Sequence, residues 1–341
     1  RMPGALAQTN IIANMLFGAI SGSGAAAAAA MGGTIGPMEE KEGYDPVYSA
    51  AVNIASAPTG MLIPPSNLMI VYSTIAGSVS VAALFTAGYL PGILWGIIVM
   101  VIAGITAKKK GYVIKESISG KQALKAILDA IPSLLLIVII IGGILSGVFS
   151  PTEASAVAVA YAFILSVFIY KSIDLKDMPR ILVQTANMTT VVMLIIGASS
   201  VLSFVLSFTG LPAAISKMVL GISDNKYVLL LILNIFLLIV GTFMDMAPAL
   251  LIFTPIFLPI VRTFGMSDVQ FGVMMVMNLA VGTITPPVGN VLFVGCSLAK
   301  QRLENVMKSL VPFFVAIFIS LMLVTYVPAL SEWLPTTLGL M

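Results

Sequence analysis

Residues 53–76 read NIASAPTGMLIPPSNLMIVYSTIA and residues 278–299 read NLAVGTITPPVGNVLFVGCSLA. Each is an apolar segment with a glycine and a Pro-Pro pair where a helix centre should be. Asn53-Ile54-Ala55 matches Asn278-Leu279-Ala280 before the prolines, and Asn67-Leu68-Met69 matches Asn290-Val291-Leu292 after them. Proline lacks an amide proton and pushes the preceding residue out of helical geometry, so both helices must unwind there and expose carbonyls. Unpaired backbone at membrane depth is tolerated only where it is buried in protein or lines a cavity.

Composition supports a membrane setting. The chain has 341 residues, 59% hydrophobic and 9% charged, with a mean hydropathy of +1.09. A soluble domain carries about 25% charged residues, so soluble enzymes and nucleic-acid-binding modules are excluded. The net charge of +3 is small, and basic clusters such as Lys108-Lys109-Lys110 read as cytoplasmic ends of spans. Histidine is absent and Cys296 is the single cysteine, which excludes histidine proton relays, structural zinc, haem attachment and intrachain disulfides. The sequence opens at Arg1 without a signal-like leader, and reads as a piece that begins within a longer protein.

A helix needs about 20 apolar residues to cross the hydrocarbon. Residues 81–107, 131–149, 154–170, 227–261 and 310–328 meet or approach that length, whereas 121–129 reads as a short interfacial helix. Two further regions are apolar but interrupted. Residues 9–37 carry Ser21-Gly22-Ser23-Gly24 between two short arms, and residues 181–222 carry Gly197–Ser203 (GASSVLS) between comparable arms. Each predicts a hairpin-like segment whose arms are too short to span. The order hairpin, broken helix, spanning helix then occurs twice, and such internal duplication points to a secondary transporter with its site at the repeat interface.

The chemistry follows from these breaks. Helix arms starting after the hairpin turns aim positive dipole ends inward, toward an anionic group, while unwound carbonyls and hydroxyls suit Na⁺. Ser21, Ser23, Ser199, Ser200, Thr59, Ser66, Thr283 and Thr285 are candidates for direct contact. Asp245 sits inside an apolar stretch and needs a cavity, a cation or a partner there. Glu153, Asp45 and Asp268 read as helix caps or loop acids.

The stretches FGAISGSGAAAA, EGYDPVYSAAV, GMLIPPSN, SPTEASAVAVAY, GTFMDMAPALLIFTPIFLPI and NLAVGTITPPVGNVLFV together resemble the large membrane subunit, DctM/SiaM type, of tripartite ATP-independent periplasmic transporters. The resemblance implies an all-α integral membrane protein, a duplicated inverted-repeat elevator with two re-entrant hairpins and two broken helices. Residues 1–77 and 181–300 would form the transport domain, and 78–180 and 301–341 the scaffold, with further N-terminal spans missing.

It also implies Na⁺-driven import of an organic acid across the bacterial inner membrane, a periplasmic substrate-binding protein and a small four-helix membrane subunit as partners, and no cofactor beyond Na⁺. One Na⁺ site would join Ser21, Gly22 and Ser23 to Asn53, Ala57, Pro58, Thr59 and Gly60. The other would join Ser199 and Ser200 to Gly282, Thr283, Ile284, Thr285 and Val288, with Gly241 and Asp245 close by. Substrate would lie near Ser21, Ser23, Ser66, Asn67, Asp245 and Asn290, and the polar pair Ser66-Asn67 favours sialic acid over C4-dicarboxylates. An ion channel built on re-entrant loops is the alternative, and an intramembrane enzyme a more distant one.

Overall fold

The computed structural model describes residues 3–77, 79–112, 120–210, 221 and 225–341, all helical or loop among those described. Seven of the described helical segments are long and apolar enough to cross a membrane. The chain divides into two units, residues 1–115 with 205–341, and residues 116–204.

The larger unit contains the paired pattern. Helices α1 (Ala5–Ser21) and α2 (Gly24–Thr34) are joined by Gly22-Ser23. A short α3 (Gly36–Lys41) leads to a broken helix made of α4 (Pro46–Ser56), a 3-10 turn (Ala57–Met61) and α5 (Asn67–Ala76). The long α6 (Val81–Lys110) follows.

In the smaller unit α7 (Gly120–Leu145) packs on α8 (Pro151–Ile164), and the N-terminal part of α9 (Met178–Thr209) follows. Tyr161 Oη donates to the Pro132 carbonyl at 2.9 Å and Tyr170 Oη to that of Asp129 at 3.0 Å. Residues 121–129 are the first turns of α7 rather than a separate interfacial helix. Ser150 and Glu153 form the expected capping box at the start of α8.

The larger unit then resumes. Helices α10 (Lys226–Phe243) and α11 (Met246–Thr263) are joined by Met244-Asp245. A second broken helix consists of α12 (Asp268–Gly282) and α13 (Asn290–Leu298), and α14 (Leu303–Tyr326) and α15 (Ala329–Thr337) close the chain.

The two breaks occur where the proline pairs predict them, and Pro64-Pro65 and Pro286-Pro287 are both cis. Each helix pair packs on both broken helices: α1 lies on α4 and the 3-10 turn, α10 lies on α12, α2 lies on α13, and α11 lies on α5. Helix α12 is buried on every side from Val269 to Gly282, and α4 is buried from Tyr48 to Ser56.

Two further expectations are corrected. Gly197–Ser203 forms no turn, because α9 runs through it unbroken to Thr209, and Gly210 then takes positive φ. A single glycine with small hydroxyl residues does not stop a helix: Thr185, Thr190 and Ser200 each donate back to the carbonyl four residues earlier. The arm expected through Pro212 to residue 222 falls largely outside the described residues.

Conversely, residues 227–261 are not one span. Met244 and Asp245 are extended, and Asp245 is the residue that opens α11. Pro248 then falls in the first turn of α11, where its missing amide proton costs nothing.

Candidate functional site

Glycines hold each hairpin against a broken helix. A Cβ built on Gly60 would lie 2.2 Å from Gly18 Cα, and one built on Gly282 would lie 2.4 Å from the Gly241 carbonyl carbon. One helical stretch away, buried asparagines tie the same pairs of helices. Asn14 Nδ2 lies 2.9 Å from Asn53 Oδ1 and 2.8 Å from Ser56 Oγ. Asn278 Nδ2 donates to Asn234 Oδ1 at 2.8 Å and to its carbonyl at 3.0 Å. Asn53 donates in turn to the Ala28 carbonyl at 2.9 Å, so its side chain ties α4 to both arms of the first hairpin.

The hairpin turns meet the broken helices at two adjoining clefts. The first, about 160 Å³, is lined by Gly22, Ser23, Met61, Asp245, Thr283 and Asn290 among others. The second, about 110 Å³, is lined by Gly241, Thr242, Phe243, Asp245, Thr283 and Val288 among others. Asp245, Thr283 and Asn290 border both. The first turn is wedged in place: a Cβ on Gly24 would meet Met61 Cε at 2.9 Å and Val291 Cγ2 at 3.1 Å. Asn67 stands against the turn, its Nδ2 lying 2.6 Å from where a Gly22 Cβ would be.

Four helices begin at the first cleft. Gly24 of α2, Leu68 of α5, Met246 of α11 and Asn290 of α13 all line it, each at or next to its helix N-terminus. Ser23 caps α2, its Oγ accepting from the Ala26 amide at 3.3 Å. Asp245 begins α11 without turning its side chain back to cap it, and it is exposed to the clefts. Amide ends and one carboxylate therefore share a small volume.

The hydroxyls of Thr242 and Thr283 at the clefts, and those of Thr59 and Thr285 at the two helix breaks, spend their protons on backbone carbonyls. Thr59 Oγ1 donates to the Ser56 carbonyl at 2.6 Å, Thr242 to Ile239 at 2.7 Å, Thr283 to Ala280 at 2.7 Å and Thr285 to Val281 at 2.7 Å. Each keeps oxygen lone pairs free, which suits a hard cation.

The structure gathers Ser21, Gly22, Ser23 and Asn67 at the first turn, and Gly241, Asp245, Thr283, Val288 and Asn290 at the clefts, with Gly282 buried against Gly241. Ala57, Pro58, Thr59 and Gly60 form the buried 3-10 turn beneath the first hairpin, and Ile284 is buried and Thr285 half-buried at the second break. Ser66 is fully buried and spends its hydroxyl proton on the Met61 carbonyl at 2.5 Å. Ser199 and Ser200 lie mid-helix in the smaller unit, away from any turn.

Sequence reasoning missed the turn at Met244-Asp245, where α10 ends at Phe243 and α11 begins at Met246. The signal was Asp245 followed by Pro248, an N-cap residue with proline in the first helical turn.

The sequence matches the family described as the tripartite ATP-independent periplasmic transporter, DctM component, over residues 1–330. It is 51% identical over 336 residues to the uncharacterized protein YgiK of Salmonella typhimurium, covering 98% of this chain and 77% of that one. It is 37% identical to the C4-dicarboxylate TRAP transporter large permease protein DctM of Pseudomonas aeruginosa, covering 99% and 79%. Identity is also 37% to the sialic acid TRAP transporter large permease protein SiaM of Vibrio cholerae, covering 97% and 78%. With its apolar spans and its clefts beside broken helices, the chain belongs to the DctM family of TRAP transporter large permeases, membrane transport proteins rather than enzymes.

Proposed function

We propose that this permease imports an organic acid anion across the bacterial inner membrane, driven by Na⁺, with a periplasmic binding protein delivering the acid and a small four-helix membrane subunit alongside. Its two hairpins, α1/α2 and α10/α11, enter the bilayer and turn back within it. Together with the two broken helices they form the moving part of an inverted-repeat elevator.

The observation that carries this reading is the convergence of four helix N-termini on the cleft that holds Asp245. Each N-terminus presents about half a positive charge, which together attract a carboxylate. The Asp245 carboxylate opposes it. A cation held by the hydroxyl oxygens of the turns offsets that repulsion, so Na⁺ binds first and the acid follows. A loaded site with its charges balanced then crosses apolar surroundings at far lower cost than an empty one.

Ligands for Na⁺ are drawn from Ser21, Ser23 and Thr59 at the first turn, and from Thr242, Asp245, Thr283 and nearby carbonyls at the second. Substrate contacts come from Ser23, Asn67 and Asn290. Ser66 is turned into the protein, which leaves Asn67 alone to carry the polar contact behind a preference for sialic acid. A cleft of about 160 Å³ suits a short-chain carboxylate first and sialic acid second.

The test is uptake into proteoliposomes containing the full-length permease, its small subunit and the binding protein. Accumulation should require an inward Na⁺ gradient and disappear in Asp245→Ala. Equal uptake without Na⁺ overturns the coupling, and unitary currents in a planar bilayer would favour a channel.

A further inference from the structure

A larger cavity, about 360 Å³, lies apart from the two clefts and shares no lining residue with them. Asn10 of α1, Gly32 of α2, Glu39 of α3, Ser49 of α4 and the segment Lys300-Gln301 contribute to its walls. Glu39 is fully buried, and neither of its carboxylate oxygens has a hydrogen-bond partner. Ser49 Oγ, also buried, is the neighbouring group able to donate to the carboxyl, short of a well-formed hydrogen bond, and the buried Asn10 Nδ2 is unpartnered.

No ion pair among the described residues reaches Glu39. A lone buried carboxylate is among the costliest groups to keep ionised. The surroundings offer little compensation. Helices α1 and α2 carry no ionisable side chain, and α4 supplies only Tyr48. Tyr44 lies beyond the end of α3, and Glu40 and Lys300 line the cavity from its exposed rim. Among the described residues no cluster of three or more acidic, histidine or cysteine side chains surrounds it to hold a metal ion.

We propose that Glu39 is a proton-binding site, separate from the hairpin clefts. The carboxylate takes its proton from hydronium in the cavity, leaving water, while α3 is packed under α1, α2 and α4. Any conformation that lets solvent reach the carboxyl returns the proton to water. Burial pushes the Glu39 carboxyl up to about 7, with Ser49 beside it pulling the other way, so the proton is exchanged near neutrality. The sign is that of a raised carboxyl: the stabilisation is complete below the ordinary glutamate range and is lost as pH rises through about 7.

The test is pH-difference infrared spectroscopy of the purified full-length permease, with thermal unfolding alongside. A protonated carboxyl C=O band should titrate near neutrality, vanish in Glu39→Gln and persist in Glu40→Gln. Glu39→Asp, which keeps the acid, should shift the band rather than remove it. Melting temperature should fall as pH rises from the ordinary glutamate range to about 7 in the parent, level off above that, and stay level throughout in Glu39→Gln. A band that survives Glu39→Gln, or a parent with no protonated carboxyl near neutrality, overturns the proposal. Neither readout involves transport, so its failure leaves the Na⁺-driven reading untouched.

Discussion

Gly18 and Gly60 touch backbone to backbone, with only 2.2 Å between Gly18 Cα and the place a Gly60 side chain would occupy. Gly60→Ala must therefore part the first hairpin from its broken helix. Overpacking of this kind costs about 1–3 kcal/mol, and the rigid partner puts this site at the upper end. Thermal unfolding in detergent should show the loss, and uptake should fall with it. Gly33→Ala is the contrast, since nothing lies within 4 Å of a side chain there; it should leave stability unchanged or raise it by up to about 1 kcal/mol.

Asn278→Ala should destabilise by about 1–3 kcal/mol, because it removes the 2.8 Å donor to the fully buried Asn234 oxygen and leaves it only the 3.5 Å contact from Thr325. Asn278→Leu should be as damaging, since filling the space does not supply a donor. A melting temperature equal to the parent's in both variants would show that the link carries no weight.

Asp245→Asn keeps the shape of the second turn and removes its charge. Uptake should lose its dependence on the Na⁺ gradient and fall by at least about tenfold, while acid still binds weakly to the detergent-solubilised permease. Titrating binding against Na⁺ for parent and variant checks this, and an unchanged Na⁺ dependence would move the cation site elsewhere.

Asp45 begins α4, accepts from the Val47 amide at 2.9 Å and pairs with Lys110 at 2.6 Å. Partial burial raises its carboxyl, but Lys110 and the Val47 amide outweigh that and hold it below the usual range. Its contribution is therefore present above about pH 4 and fades as pH falls through its lowered value. The pair is exposed, so Asp45→Ala should cost only about 1 kcal/mol, mostly through the lost cap. Unfolding at neutral and acidic pH should show the parent and the variant converging in acid.

Ser200→Ala should be nearly silent, within about 0.5 kcal/mol, because Ser200 only donates back to Ile196 in an unbroken helix. Ser23→Ala, which strips the cap from α2 at the cleft, should impair uptake. Comparing uptake in the two tells which segment forms a working turn.

Both helix breaks and the first hairpin turn were legible because proline and glycine leave local marks that no tertiary context removes. The caps at Ser150 and Asp45 were legible for the same reason. The second hairpin was not, because hydropathy runs on through LLIVGTFMDMAPALLIF and two extended residues barely dent it. Spacing hid it further. Asn14 and Gly18 are four residues apart and Asn53 and Gly60 seven, whereas Asn234 and Gly241 are seven apart and Asn278 and Gly282 four. Both spacings return to one helix face, so the contacts correspond although a gapless alignment fails. Gly197–Ser203 misled because small hydroxyl residues look like a turn in sequence yet bond within their own helix.

Helix α5 ends at Ala76 and its packing partner α11 begins at Met246. A ribosome adding about 5–20 residues each second takes on the order of ten to thirty seconds to cover that interval. Until then the face of α5 that α11 covers has no partner from that later segment, so this part of the packing is completed only late in synthesis.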